Sequence, residues 1–291
     1  MTPEAVAARV VSSSAEMRSE VEGSRRAGRS VAFVPTMGYL HEGHLSLVDV
    51  ARRHADEVCL SVFVNPTQFG PGEDFDRYPR DLERDVSLAA ERGVRWVFAP
   101  SRSEIYPHAQ TVWVDPGPLA ERLCGRTRPG HFRGVLTVVL KLLEIVRPDV
   151  AVFGRKDFQQ SVLIRRMVEE FALPIRVEVA PIVRERDGLA LSSRNAYLSG
   201  KERARALSLS RALRRVRAEF AAGAADASSL AALARRVLVE GGVRVDYVEI
   251  VDPVRLDPVD TAEPSSMCVL AGYVGPTRLI DNAPLGEPCS L

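Results

Sequence analysis

Val31-Ala-Phe-Val34 runs into Pro35-Thr-Met-Gly38, and soon after into the helix-spaced series Leu45, Val48 and Ala51. That order leaves little freedom. Consecutive apolar residues have no polar side to give to water, so they read as a strand buried on both faces, as in parallel sheets. Pro35 lacks the N–H that a central strand needs, and Gly38 supplies a tight turn, so the strand ends there. Apolar residues at three- and four-residue steps then mark a helix. Strand, turn and helix predict an open α/β sheet, whose ligands bind beyond the carboxyl ends of the strands.

His41 and His44 fall at the start of that helix, at a spacing that puts both on one face. A helix start offers unpaired N–H groups and the positive end of the dipole, which suits an anion. Two imidazoles add donors for phosphate oxygens. Gly43 between them has no side chain, so a flat base can lie against the backbone. The pattern predicts nucleotide phosphate binding; its plain alternative is two surface histidines on an ordinary helix. The zinc-protease pattern H-E-x-x-H is excluded, because its second histidine would occupy the position of Leu45.

His41-Glu42-Gly43-His44 resembles the H-x-G-H element of the nucleotidyl-transferring α/β superfamily. The longer string Pro35-Thr36-Met37-Gly38-Tyr39-Leu40-His41-Glu42-Gly43-His44-Leu-Ser-Leu47 is similar to one family in it, pantoate–β-alanine ligase (pantothenate synthetase). Tyr39 is bulky where that family often has a small residue.

The rest of the chain sets bounds. Its 291 residues suffice for one large or two ordinary domains, and 46% apolar content is that of a globular protein. A formal net charge of +1 gives no argument for nucleic acid or a membrane surface. No basic-then-apolar leader and no apolar run near ~18 residues stands out. Cys59, Cys124, Cys268 and Cys289 are widely spaced and make no C-x-x-C. Neither a disulfide framework nor a zinc site is expected, and a reducing cytoplasm is.

In chain order, Thr2-Pro3-Glu4 predicts a helix start, with the helix running loosely to about Gly28 and breaking near Ser12 to Ser14. Val58 to Val64 predicts a second parallel strand. It ends in Asn65-Pro-Thr-Gln68-Phe and a polar loop to Pro79, a usual place for binding residues. Asn65 and Gln68 carry amides suited to a small polar substrate. Asp81 to Arg92 is an amphipathic helix with Leu82, Val86 and Ala89 on one face, stopped by Gly93. Val94 to Phe98 and Thr111 to Val114 are expected strands. Arg128-Pro-Gly-His131-Phe-Arg-Gly134 precedes an apolar helix, and its cations can serve a carboxylate or phosphate. Val150 to Phe153 predicts a strand leading into Gly154-Arg155-Lys156-Asp157-Phe-Gln-Gln160. There Lys156 offers a compact charge for polyphosphate and Gln160 an amide for a hydroxyl or carboxylate. The spacing is neither a P-loop nor G-x-G-x-x-G. Ile175 to Val179 is a further strand. Ile182 to Leu191 reads as a hairpin turning at Asp187-Gly188. It delivers Ser192-Ser193-Arg194-Asn195, two hydroxyls and a guanidinium matched to phosphate. A capping box at Ser199 and Glu202 opens helices near 201–219 and 227–239; strands follow at 245–251, 267–273 and 278–280.

Several of these segments extend the resemblance over roughly residues 30 to 282. Asn65-Pro-Thr-Gln-Phe, Glu73-Asp74 and Tyr78-Pro-Arg80 resemble the family's substrate loop, in which the glutamine at 68 contacts pantoate and β-alanine. Residues 128–134 resemble its R-P-x-H-F-x-G segment, and Gly154 to Gln160 its G-x-K-D-[YF]-Q-Q. Arg155 departs from the uncharged or acidic residue more usual there. Ser192 to Asn195 resembles the mobile signature loop over the triphosphate.

The expected fold is a doubly wound, mostly parallel Rossmann-like sheet (1–182, binding ATP and pantoate) followed by a smaller α+β C-terminal lid domain (183–291). The resemblance implies ATP-dependent joining of (R)-pantoate and β-alanine to give pantothenate, AMP and diphosphate. It implies Mg²⁺ with the ATP, a homodimer, and no nucleic-acid or membrane partner. It assigns catalysis to His44, His41 and Lys156, with His44 the usual proton donor. ATP falls to residues 35–44, Gly154, Arg155, Lys156, Asp157, Val183, Leu191, Ser192, Ser193 and Arg194. Substrate falls to Gln68, Gln160, Asn65, Tyr78, Arg128 and His131. Two other readings compete. A nucleotidyltransferase of the same superfamily would stop at adenylyl transfer, against which Gln68 and Gln160 argue. A binding module without activity would have lost His41, His44 or Lys156, and all are present.

Overall fold

The computed structural model describes residues 8–287. They divide into two compact units. One comprises residues 8–117, Arg128–Gly154 and Leu163–Pro181; the other comprises Pro118–Thr127, Arg155–Val162 and residues 182–287.

The first unit is built on six parallel strands: β1 (Arg9–Val11), β2 (Val31–Thr36), β3 (Glu57–Val62), β4 (Trp96–Phe98), β5 (Val150–Gly154) and β6 (Arg176–Ala180). Their spatial order is β1-β4-β3-β2-β5-β6. Parallel strands need crossovers, and the helices supply them: α1 (Ser14–Arg26), α2 (Glu42–Arg52), α3 (Leu82–Glu91) and the short α4 (Arg102–Ile105). A short helix of the second unit, α5 (Leu123–Thr127), precedes α6 (His131–Val146), and α7 (Phe158–Glu170) begins in the second unit and ends in the first.

Val31 to Val34 are fully buried, as a run apolar on both faces must be. Ala32 and Val34 pack with Leu45, Val48 and Ala51 of α2, so the alternation of the strand turns Val31 and Phe33 to the opposite face. The chain moves from β2 outward through β3 to β4, then returns to place β5 on the other side of β2, with Phe33 level with Ala151. The strand order therefore reverses between β2 and β5. Their carboxyl ends, at Thr36 and Gly154, flank the crevice where open α/β sheets take ligands.

Two expectations are corrected here. Residues 9–11 are a strand, where a loose helix was expected; Arg9-Val10-Val11 pairs with Trp96-Val97-Phe98 at the sheet edge. The helix begins instead at Ser14, capped by the Ser13 hydroxyl accepting from Glu16 N–H. The expected start at Thr2-Pro3-Glu4 lies outside the described residues. Thr111 to Val114 is not a strand. Its Val114 N–H donates to the Thr137 hydroxyl, and Trp113 stacks against Arg133, so its polar and aromatic groups are satisfied by α6.

The second unit carries an antiparallel sheet of β7 (Arg244–Val251), β8 (Met267–Val274) and β9 (Thr277–Pro284) in that order. Helices α8 (Gly200–Ala221) and α9 (Ala227–Glu240) cover it through Leu209, Leu213, Leu230 and Leu238 against Ile250 and Leu270. The capping box of Ser199 and Glu202 is formed. This is the smaller α+β unit that the sequence predicts, and it also takes in residues that a division at 182/183 leaves in the first domain. Gln159 explains one of them: its amide donates to Leu119 O and Arg122 O and accepts from Cys124 N–H.

Cys59, Cys124 and Cys268 are free thiols, and Cys289 lies outside the described residues. Among the described residues no helix is long and apolar enough to cross a membrane.

Candidate active site

The turn after β2 is held from several sides. Thr36 Oγ1 donates to Ser61 O at 2.7 Å and accepts from Gly38 N–H at 3.0 Å. Gly38 and Tyr39 both take left-handed backbone, with φ of 82° and 52°. Glycine is required at the first: a Cβ there would lie 2.7 Å from Val62 Cγ1 and 2.9 Å from Asp85 Oδ2. The Asp85 carboxylate accepts from Tyr39 N–H at 2.7 Å and Leu40 N–H at 2.6 Å.

The chain then enters α2 with His41 as its extended cap residue. The His41 and His44 rings stack with centroids 4.0 Å apart and planes inclined by 25°. His44 Nδ1 accepts from His41 N–H at 3.4 Å, so in the neutral ring the proton resides on Nε2. The two imidazoles thus share one face at a helix start, as their spacing predicts. Leu40 is wholly buried, so of the residues expected to meet ATP it can offer only backbone.

The turn after β3 is equally fixed. Asn65 is 1% exposed. Its Oδ1 accepts from Thr67 Oγ1 and Tyr106 Oη at 2.9 and 2.8 Å. Its Nδ2 donates to Gln68 Oε1 at 3.0 Å and Gly134 O at 3.2 Å. Gln68 Nε2 in turn reaches Met37 Sδ at 3.2 Å. The amide of Gln68 therefore links the turn after β3 to the turn after β2.

Arg128 and His131 bind the main chain of the same turn. His131 Nδ1 donates to Gln68 O at 2.8 Å while its Nε2 accepts from Arg128 Nη1 at 2.9 Å, which sets the tautomer. Arg128 Nη2 also lies 3.3 Å from Gln68 O, and the guanidinium forms a two-pronged pair with Glu73 at 2.7 and 2.6 Å. Burial pushes the Glu73 carboxyl up, but the hydrogen bonds and charge of Arg128 outweigh it and hold the group below its ordinary value. Tyr78 is buried, its ring edge-on to Phe69.

In the second unit, Arg155 to Asp157 form a single tight turn. Asn282 Nδ2 donates to Arg155 O at 2.9 Å and to Lys156 O at 3.1 Å, fixing the backbone that carries the lysine. Arg155, the departure from the family pattern, has its guanidinium paired with both oxygens of Glu287, at 2.5 and 2.9 Å. Gln160 is half-buried.

The hairpin forms as predicted. Arg184 bridges to Ala190, Glu185 N–H donates to Leu189 O, and Gly188 N–H returns to Glu185 O. At its mouth Leu191 N–H donates to Val183 O at 3.0 Å. Ser192 caps the short turn Ser193–Tyr197 by accepting from Arg194 N–H. Asn195 anchors it to Glu185 and Ala190 O, and Arg184 pairs with buried Asp281 at 2.6 and 2.9 Å.

The first unit thus gathers Met37, His41 and His44 at the turn into α2, and Asn65 and Gln68 at the turn after β3, to which Arg128 and His131 bond from the start of α6. The second carries Lys156, Gln160 and Ser192 to Arg194. Sequence reasoning passed over Asp85, Tyr106 and Asn282. Of these only Asp85 leaves a local signal: it stands between Leu82, Val86 and Ala89 on the expected apolar stripe of α3, where a carboxylate is out of place.

The pantoate-beta-alanine ligase family profile matches residues 9–284. Pantothenate synthetase 1 of Bradyrhizobium diazoefficiens is 53% identical over 279 residues, covering 95% of this chain and 98% of its own. The pantothenate synthetase structure from Thermus thermophilus superposes with a TM-score of 0.91 at 46% identity, covering 96% of this chain and 100% of its own. That of the Francisella tularensis ligase, complexed with beta-gamma ATP and beta-alanine, gives 0.81 at 33% identity over 98% and 100% of the two chains.

Proposed function

Since this chain belongs to the pantoate–β-alanine ligase family, we propose a division of roles among its residues for the condensation of (R)-pantoate with β-alanine. The reaction consumes ATP and yields pantothenate, AMP and diphosphate through a pantoyl-adenylate. A carboxylate is a poor electrophile, because its leaving group would be oxide. An oxygen of pantoate's carboxylate attacks the α-phosphorus of ATP, and the bond to diphosphate breaks. The β-alanine nitrogen then attacks the acyl carbon, the bond to AMP breaks, and the amine gives up a proton.

Negative charge on the phosphates shifts during the first step, so fixed donors there lower the barrier. His44, with Nδ1 engaged by backbone, presents Nε2–H as such a donor, and His41 stacks beside it. The start of α2 and the backbone of residues 35–44 serve ATP, and Gln68 serves pantoate. Asn65, Arg128 and His131 act by holding Gln68. In the second unit Lys156, with its backbone fixed by Asn282, and Ser192 to Arg194 serve the phosphates; Gln160 serves pantoate. Little covalent work falls to the protein, and positioning carries much of the rate.

The observation that carries this reading is the contact of Gln68 with Met37. It supports the reading by joining the amide assigned here to pantoate to the turn assigned to ATP, as transfer between a carboxylate and an α-phosphate requires. Mg²⁺ would enter as the counter-ion of ATP, held largely by phosphates and water as it commonly is. The family relationship also supports a cytoplasmic homodimer, which a monomeric mass in light scattering would refute.

The test is AMP release from purified protein with ATP and Mg²⁺, omitting pantoate or β-alanine in turn. AMP that requires both, with pantothenate formed, is expected. Diphosphate release with a stable adenylylated product and no amine requirement would replace the ligase reading by a nucleotidyltransferase.

A further inference from the structure

Asp85 is a carboxylate where packing calls for a hydrocarbon. It is 1% exposed on a helix face shared with fully buried Ala89. Burial pushes its carboxyl up, against the pull of two N–H groups and of Arg84. The nearest guanidinium nitrogen, of Arg84, is 3.9 Å away and half exposed. A buried ion this weakly paired is a poor source of stability. Its two oxygens are instead both spent on consecutive backbone N–H groups, Tyr39 and Leu40.

Those N–H groups belong to the strained part of the turn. Tyr39 has a side chain and sits at a φ of 52°, a left-handed conformation that is strained for any residue but glycine. Arg84, the neighbour of Asp85 on α3, works on the same two residues. Its Nη1 donates to Leu40 O at 3.0 Å, and its guanidinium lies over the Tyr39 ring, 5.4 Å from the centroid. One turn of α3 therefore grips both donors and one acceptor of the peptide units that lead directly into His41. Arg92, at the far end of α3, pairs with Glu42 and Asp49 of α2.

We propose that Asp85, assisted by Arg84, is a positioning residue for the reaction: it holds Tyr39 and Leu40 in the left-handed turn that aims the start of α2, with His41 and His44, at the nucleotide. The inference rests on the ligase reading for what the turn binds. It accounts for a bulky residue at 39, because a carboxylate shared by two N–H groups can hold a turn that glycine would otherwise have to make.

Asp85→Asn tests it. The amide keeps the size but offers an N–H₂ group to one of the two backbone donors, so the turn cannot keep both bonds. The expected result is a rise in KM for ATP on the order of tenfold, with KM for β-alanine unchanged, because the amine reacts after the adenylate has formed. Val86→Ala on the same helix is the control: it loosens packing and lowers Tm without touching the turn, and should leave KM for ATP alone. If Asp85→Asn does not fold, Arg84→Ala decides, since it removes the bond to Leu40 O, the stacking on Tyr39 and the long pairing with Asp85 but leaves both Asp85 bonds to the turn; a rise of about threefold in KM for ATP is expected. Unchanged KM for ATP in the folded variant, or an equal rise in Val86→Ala, overturns the proposal. Wild-type protein that makes no pantothenate from its substrates would overturn the ligase reading instead.

Discussion

Replacing Gly134 with alanine measures how far the Gln68 turn depends on α6. Alanine is the better helix former by about 1 kcal/mol, so in an open helix the change would stabilise. At this position the new Cβ would lie 2.5 Å from Thr67 C and 2.8 Å from Gln68 N, and nearer still to the Thr67 carbonyl oxygen. These are backbone atoms, which cannot swing aside as a long side chain can. Ordinary carbon contacts need roughly 3.5 Å, so the turn must retreat from α6 by about 1 Å. Retreat stretches the Asn65 bond to Gly134 O and the His131 bond to Gln68 O, now 3.2 and 2.8 Å. Overpacking of this kind costs about 1–3 kcal/mol, which meets or exceeds the gain in helix propensity. Activity should suffer more than stability, because a displacement near 1 Å of a substrate-positioning group lowers the rate about 10²-fold. The assay is AMP formation with pantoate titrated against saturating ATP and β-alanine, beside a thermal melt. Gly23→Ala on α1 is the control, since its Cβ would enter open space and should leave activity unaltered. Gly134→Ala with wild-type kcat/KM for pantoate would refute the claim that this turn carries the pantoate contact.

Three further outcomes are expected. His44→Ala should melt near the wild-type temperature but lose about 10²–10³ in turnover, the scale of one transition-state donor; near-normal turnover would remove His44 from the mechanism. Gln68→Ala should raise KM for pantoate more than KM for ATP, and the reverse order in a two-substrate titration would contradict the assignment. Glu73 is held below its ordinary value, so its pairing with Arg128 contributes fully above the unfolded value of about 4.3 and is lost as pH falls below that through the folded value. Melting temperature should therefore drop more steeply on acidification below about pH 4.3 in the wild type than in Glu73→Gln; parallel profiles would show that the pair contributes nothing to folding.

What was legible in the sequence, and what was not, follows from the range of the interactions. Periodicity reports on a residue's own element. It sufficed for β2 and α2, for the hairpin at Asp187-Gly188 and for the capping box at Ser199, because each is decided by residues a few positions apart. It failed at Arg9 to Val11, whose partner strand begins at Trp96, and at Thr111 to Val114, whose backbone bond goes to Thr137. The site divides in the same way. The residues proposed to meet a ligand announce themselves by chemistry just after a strand or hairpin: two histidines, a lysine, paired serines. Residues that hold them are ordinary polar side chains acting on distant backbone, as Asn282 does on Lys156 and Tyr106 on Asn65. Arg128 and His131 show the ambiguity most clearly. Their charge and donors suit a carboxylate ligand, yet the carboxylate that Arg128 meets is Glu73, and the acceptor it shares with His131 is the carbonyl of Gln68. A cation near a binding loop can thus serve the substrate directly or fix the residue that does, and only the position of the acceptor distinguishes the two. Asp85 is the exception that shows what a sequence can still reveal: a carboxylate on an apolar stripe must find donors in the interior, and the strained turn before His41 supplies them.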